Sequence, residues 1–392
     1  MTSEVLQTKL HSLVIFRNLL QNPVIQKLDV LLCAPSENTL KLADAYGAFT
    51  AALFTHTTDW SQFLMDSVLE DENLYIHAYC QNLSADKALQ DCLDWELDFL
   101  QELSLFSPEQ VPLEDKPALW STHTIPFAAT YHQRLKDLPQ RGYGIFARHH
   151  VFTVNNGELV PVKHPDPQSL AQLSGYEQER SQVIANTRAL LAGKPASNVL
   201  LYGDAGTGKS STVKAIANEF ASEGLRLIEV KKAQLYQIPD IVERLSLNPL
   251  KFILFIDDLS FSSNDNDFSA LKAILEGSVS SRGKNLAIYA TSNRRHLIKE
   301  SFADRDGDEI HLADTMQELL SLSARFGLTV TFSRPDKTLY QHIVENLAVL
   351  YDLSVPKDQL LAQAETFALR AGGRSPRTAK QFIEQLKARE NT

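Results

Sequence analysis

Gly203-Asp204-Ala205-Gly206-Thr207-Gly208-Lys209-Ser210 follows the apolar run NVLLYG (198–203) and opens a helical pattern. The eight residues fit GxxxxGK[ST], a pattern that arises by chance in roughly one chain of this length in a hundred at average composition. The glycines let backbone N–H groups turn inward around phosphate oxygens, and the following helix offers them its positive dipole end. Lys209 would reach the β- and γ-phosphates and Ser210 would ligate Mg²⁺, with Ser211 next in the same nucleotide-binding set. The rival reading is an ordinary glycine turn, and the strand–loop–helix context speaks against it.

Outward from this loop, short apolar runs alternate with helix-length segments. LRLIEV (225–230), FILFID (252–257), LAIYATSN (286–293) and LTVTF (328–332) follow NVLLYG. Continuous apolar strands spaced by helices predict βαβ units and a parallel sheet covered on both faces. A helix is expected over Glu177–Leu191, stopped by Gly193 and Pro195. From about 335 the pattern is helical again and ends in a basic segment.

Two strand ends, the position before a third strand and one helix start carry polar residues suited to phosphate chemistry. FILFIDD (252–258) ends in two carboxylates; Asp257 can hold magnesium through water and Asp258 can orient an attacking water. Its bland reading is an acidic helix cap. Asn293 ends the next strand, where an amide can reach both a γ-phosphate and a lytic water, although a lone Asn there is more often a turn residue. Arg325 precedes the fifth strand, and its planar fork suits a phosphate outside its own site; alone it reads as a solvated arginine. Gly373-Arg374-Ser375-Pro376-Arg377 opens the last helix, so that Arg377 could project towards a nucleotide, unless the helix is only a basic surface.

In this order the signals resemble the AAA+ ATPases: Walker A at 203–210, Walker B at 253–258, sensor 1 at Asn293, an arginine finger at Arg325 and sensor 2 at Arg377. The resemblance covers about 166–392. It implies an α/β fold with a five-stranded sheet in the order 5-1-4-3-2, a helical lid, and Gly175 and Tyr176 near the adenine. Asp257-Asp258, in place of the more common Asp-Glu, and Ser-Ala-Arg-Phe-Gly-Leu-Thr-Val at 323–330 are similar to the replication-initiator and helicase-loader branch. GYEQER, YGDAGTGKSS, YATSNRRHL and GGRSPRTA resemble a bacterial AAA+ family of uncharacterised ATP-binding proteins. Asp258 is one methylene shorter than Glu, a departure that speaks against fast turnover.

The remainder of the chain bounds the function. It has 392 residues and a net charge of −10. The deficit lies in residues 1–165, with 11 basic against 20 acidic residues; between Lys41 and Lys116 one lysine, Lys87, faces fifteen carboxylates. Such a surface repels phosphodiesters, so nucleic acid is not expected on the N-terminal region. Cys33, Cys80 and Cys92 form no CxxC pair, which fits a reducing cytosol. The N-terminus lacks a signal-peptide h-region and no apolar run approaches the ~18 residues of a membrane span. The first 110 residues read as helices, with Leu89, Leu93, Leu97 and Leu100 on one face, more simply core than partner surface. VFTV and LVPV around Asn155-Asn156-Gly157-Glu158 predict a β-hairpin. Tyr236 reads as a packed core tyrosine, Asp304–Asp308 as a solvated loop, and His149-His150 as no zinc site.

The expected organisation is a mainly helical acidic domain over 1–165 with the hairpin near 151–162, an ATPase core over 166–334, and a helical lid over 335–392. The expected function is hydrolysis of ATP, with Mg²⁺, to remodel or assemble a protein partner in the cytoplasm, as a homo-oligomer completed by Arg325. The alternative is an ATP-switched loader or scaffold with negligible turnover. A small-molecule kinase would not need Asn293, Arg325 or Arg377 in these places.

Overall fold

A computed structural model describes residues 2–35, 37–81, 83, 86–259, 271–272, 274–275, 285–293 and 324–390. Two compact units, Met1–Arg148 and His149–Thr392, divide the chain. The division falls ahead of the boundary expected between 165 and 166, because the hairpin belongs to the second unit's sheet.

Among the described residues that sheet has seven strands: β1 (Val151–Asn155), β2 (Glu158–Pro161), β3 (Val199–Gly203), β4 (Leu225–Glu229), β5 (Lys251–Ile256), β6 (Leu286–Ser292) and β7 (Leu328–Phe332). Their order is β2-β1-β4-β5-β6-β3-β7. Five of them, β7-β3-β6-β5-β4, run parallel in the expected order 5-1-4-3-2. The hairpin extends the sheet beside β4, with Val151–Thr153 parallel to Leu227–Glu229. Asn156 (φ 50°) and Gly157 (φ 82°) form its two-residue turn, the paired left-handed geometry that Asn-Gly favours. The apolar runs of β4, β5 and β6 are buried on both faces, Ile253 and Tyr289 among them, whereas β7 leaves Thr329 exposed. The Tyr289 hydroxyl bonds Thr187 Oγ1 at 2.8 Å and accepts from Asn186 Nδ2 at 3.1 Å, which fixes the helix Glu177–Leu191 on the sheet.

Beyond β7, the helices Lys337–Leu350, Lys357–Arg370 and Pro376–Glu390 form the lid. Tyr340, Ile343, Val344, Ala364 and Ile383 are its buried centre. Asp336 caps the first of these helices by accepting from Leu339 N at 2.7 Å.

The N-terminal unit is a helical bundle with its own core. Asn22, Asn38, Asp59 and Asn73 each cap a helix start through the side chain. On the helix Lys87–Leu103, Leu93, Leu97 and Leu100 are fully buried and Leu89 packs against the core, so the leucine face is core. Among them lies Glu96, also fully buried. Its carboxylate accepts from the backbone N–H groups of Val14 (2.6 Å), Ile15 (3.0 Å) and Phe16 (2.9 Å). Among the described residues no helix is long and apolar enough to cross a membrane.

Candidate nucleotide-binding site

β3 ends at Gly203, and the chain turns at once because Gly203 adopts φ 135° against the Phe332 carbonyl of β7; any side chain there would collide with it. Gly206 and Gly208 also take positive φ, and the helix Lys209–Glu219 follows. The loop therefore wraps the end of a helix whose first N–H groups have no intrahelical partner.

Lys209 is 5% exposed. Its ammonium donates to Gly203 O (2.9 Å), Asp204 O (2.7 Å) and Asn293 Oδ1 (3.0 Å). Burial pushes its pKa down, Asp204, Asp258 and Asp257 oppose that shift, and Arg377 adds to it. Thus the P-loop lysine and the amide at the end of β6 are already in contact.

The carboxylates after β5 form a second layer. Asp257 Oδ1 accepts from Ser210 Oγ (2.6 Å), Thr291 Oγ1 (2.6 Å) and Asp258 N (3.1 Å). Asp258 accepts from Asn293 Nδ2 at 2.8 Å, and Thr291 Oγ1 accepts from Asp258 N at 2.9 Å. These bonds hold Asp258 at φ 53°, a left-handed conformation that a non-glycine residue keeps only when its surroundings enforce it.

A cavity of about 690 Å³ opens over these groups. That is a common size for a small-molecule site. Ala205, Gly206, Thr207, Gly208, Lys209, Ser210, Ser211, Asp257, Asp258, Asn293 and Arg377 all line it. Ser210 and Asp257, one hydroxyl and one carboxylate in direct contact, suit Mg²⁺, which keeps several waters and takes few protein ligands. No group of three or more His, Cys, Asp or Glu side chains is placed to hold a metal among the described residues, so an ion would share these two with phosphate oxygens and water.

Three expectations, at Gly203 and Asp204, at Gly175 and Tyr176, and at Tyr236, meet a different arrangement. Gly203 and Asp204 do not line the cavity; their carbonyls hold Lys209, and the Asp204 carboxylate accepts from Arg334 N at 2.8 Å. Gly175 and Tyr176 lie one layer back. The Tyr176 ring packs on Phe332 at 5.3 Å and its hydroxyl donates to Ser333 O, while Leu173 and Ser174 face the cavity with Ile343, Leu347 and Tyr351 of the lid. A side chain at Gly175 would press on Ile343 Cδ1 at 2.9 Å. Arg325, three residues before β7, stands at the amino end of that strand; β3 runs parallel to β7, so its own phosphate loop is at the opposite end. Tyr236 is 68% exposed and is not core; within Lys232–Gln237 it is the neighbouring Leu235 that is fully buried.

The lid arginines separate cleanly. Arg374 forms a two-pronged pair with Glu365, at 2.8–3.2 Å. Arg377 lines the cavity, and its backbone N donates to Gly206 O at 3.2 Å. Sequence reasoning missed Thr291, which bonds both Asp257 and the Asp258 amide. It also missed Arg180, whose guanidinium donates to Leu173 O at 3.0 Å and to Gly175 O, holding the loop beside the lid. Thr291 carried a weak signal, two residues before Asn293 on the same strand. His150 is engaged with Asn218 Oδ1 at 3.0 Å, and Asp304–Asp308 lie outside the described residues.

Residues 146–390 match the family model described as "Protein of unknown function (DUF815)". Among curated proteins, the chain is 29% identical over 116 residues to the replication factor C large subunit of Sulfolobus acidocaldarius, covering 28% of this chain and 26% of that protein. It is 33% identical over 118 residues to the same subunit of Staphylothermus marinus, covering 28% and 27%. The chain thus spans about a quarter of the length of these curated relatives. Among solved structures, the RuvB Holliday junction branch migration motor of Thermotoga maritima aligns at 17% identity with a TM-score of 0.39, over 57% of this chain and 65% of that one.

Proposed function

The chain belongs to the DUF815 family, and from the cavity described above we propose that it binds ATP with Mg²⁺ and hydrolyses it to drive remodelling or assembly of a protein partner. One observation carries this reading: Lys209, Ser210, Asp257, Asp258, Asn293 and Arg377 converge on one cavity between an AAA+ sheet and its lid. In this reading the loop amides and Lys209 bind the phosphates, and Ser210 and Asp257 hold the metal, which supplies charge neutralisation at the phosphates. Asp258, oriented by Asn293, positions water, and Arg377 adds positive charge from the lid. Displacement of phosphate by water needs no covalent intermediate with the protein. The position of Arg325 at the far end of β7 supports its action on a neighbouring subunit's nucleotide, and so a homo-oligomer.

The partner is proposed to be a protein. Fifteen carboxylates against one lysine between residues 42 and 115 disfavour DNA on the N-terminal unit. A second reading, an ATP-switched loader or scaffold with negligible turnover, is favoured by the short Asp258 side chain and its left-handed backbone. Steady-state phosphate release, measured for the wild type and Asp258→Asn with and without candidate partners, separates the two. Turnover that vanishes in Asp258→Asn supports the hydrolase; nucleotide binding with no turnover in either protein supports the switch. No nucleotide binding by the wild type would overturn both.

A further inference from the structure

Five residues, Phe332-Ser333-Arg334-Pro335-Asp336, connect the sheet to the lid. Both ends are fixed, by β7 and by the Asp336 cap. Pro335 locks its own φ and disfavours helical backbone at Arg334, so the connector is stiff. Three hydrogen bonds tie it to the segments around the cavity. Asp204 N donates to Phe332 O (3.1 Å), Tyr176 hydroxyl donates to Ser333 O (2.6 Å), and Arg334 N donates to Asp204 Oδ2 (2.8 Å).

The Arg334 side chain then crosses to the lid. Its Nη2 donates to Gly372 O at 2.6 Å, just beyond the end of the helix Lys357–Arg370. Helix carbonyls there carry the negative end of the dipole, which favours a guanidinium. Gly373, at φ 128°, lies against it so closely that a side chain would collide with the guanidinium. Four residues further on, Arg377 N returns to the phosphate loop at Gly206 O. Asp204, Arg334, Gly372, Arg377 and Gly206 therefore close a ring from the phosphate loop through the lid and back.

We propose that Arg334 is a positioning residue that couples the phosphate loop to the lid, so that Arg377 faces the nucleotide only while the Asp204–Arg334–Gly372 link is intact. Arg334 does not line the cavity and acts through Arg377. The proposal rests on the nucleotide reading of that cavity. A phosphate that moves the loop moves Asp204, and the link passes the displacement to the segment bearing Arg377.

The test uses the full chain with Arg334→Ala and Arg334→Lys, read by amide hydrogen exchange and by phosphate release. Arg334 is solvent-exposed, so the core tolerates both changes. In the nucleotide-free protein, Arg334→Ala should exchange faster at 372–377, including the Arg377 amide, with the helix Lys209–Glu219 unchanged. With ATP, kcat should fall about tenfold or more, as expected of a misplaced charge, while KM changes far less. Arg334→Lys keeps a donor for Gly372 O and should recover much of both effects. Unaltered exchange at 372–377 in Arg334→Ala would overturn the proposal, as would wild-type kcat in that variant. Because the exchange measurement needs no nucleotide, it decides the link even if the wild type proves unable to hydrolyse ATP, a result that would count against the activity alone.

Discussion

Lys209→Ala removes the cation at the centre of the cavity, and its two consequences oppose each other in the free protein. Gly203 O, Asp204 O and Asn293 Oδ1 each lose their donor. The chain also sheds a buried charge whose pKa burial already depresses. Water can enter the open cavity to serve the stripped acceptors, so the free protein should change in stability by only about 1 kcal/mol. Nucleotide affinity responds more strongly. Hydrogen bonds to charged groups are worth ~1.5–3 kcal/mol each, so two bonds to phosphate amount to roughly 3–6 kcal/mol. In the wild type the ammonium must exchange its three existing partners for phosphate, which places the net loss at the lower end. At ~1.4 kcal/mol per factor of ten, affinity should fall about 10²-fold. Titration with a fluorescent ATP analogue in excess Mg²⁺, beside a thermal melt of the free protein, measures both numbers. A folded Lys209→Ala protein with wild-type affinity would refute the assignment of the cavity.

Arg377→Ala should cut phosphate release strongly with little change in melting temperature, whereas Arg374→Ala, which leaves Glu365 unpaired, should lower the lid's stability; equal effects on turnover per folded molecule would contradict the separation of the two arginines. Burial pushes the Asp71 carboxyl up to about 6, against hydrogen bonds from Asn73 and Asn18 and with help from Glu72 and Glu96. The folded unit therefore holds a proton that the unfolded chain releases near pH 4, so its stability should decline by roughly 2–3 kcal/mol between about pH 4 and 6, and Asp71→Asn should abolish that slope. Trp60, Trp95 and Trp120 all lie in the N-terminal unit, so tryptophan fluorescence during denaturant unfolding reads that unit selectively. Arg325→Ala should lose most turnover while keeping nucleotide affinity, and mixing it with Asp258→Asn should restore part of the activity; full activity in a monomeric protein would end the trans reading.

Legibility in the sequence followed the range of the interactions. The phosphate loop is local: its glycines, its lysine and the strand before it are adjacent in the chain, so one pattern specified the turn, the helix and the groups proposed to bind phosphate. Strand order was also readable once the polar residues fell in AAA+ order, and β7-β3-β6-β5-β4 matches it. The hairpin itself was visible from Asn156-Gly157, but its membership was not. Pairing of β1 with β4 joins residues more than seventy positions apart, and the proline-rich stretch after Pro161 resembles a linker as much as a connection within one unit. Exposure misled at Tyr236, since an aromatic side chain after a buried strand carries no local sign of which way it points.

The polar wiring behind the cavity was the least readable part, for a physical reason. Asp204, Arg334 and Tyr176 are each unremarkable in composition, and their roles arise from distances set by the packing of β3 on β7. A carboxylate at the second position of a phosphate loop would be expected to repel the nucleotide if it pointed inward. Turned instead to the Arg334 amide, it leaves the cavity to Lys209 and Arg377 and holds the base of the lid. The same choice explains why Gly203 and Gly373 flank this connection: one lets the loop pass the Phe332 carbonyl, and the other leaves room for the guanidinium. Two glycines that do not line the cavity thus give this connection the space it takes. Gly373→Ala should accordingly reproduce the kinetic defect of Arg334→Ala without altering any group that lines the cavity; wild-type phosphate release by that variant would show that the guanidinium does not need the space.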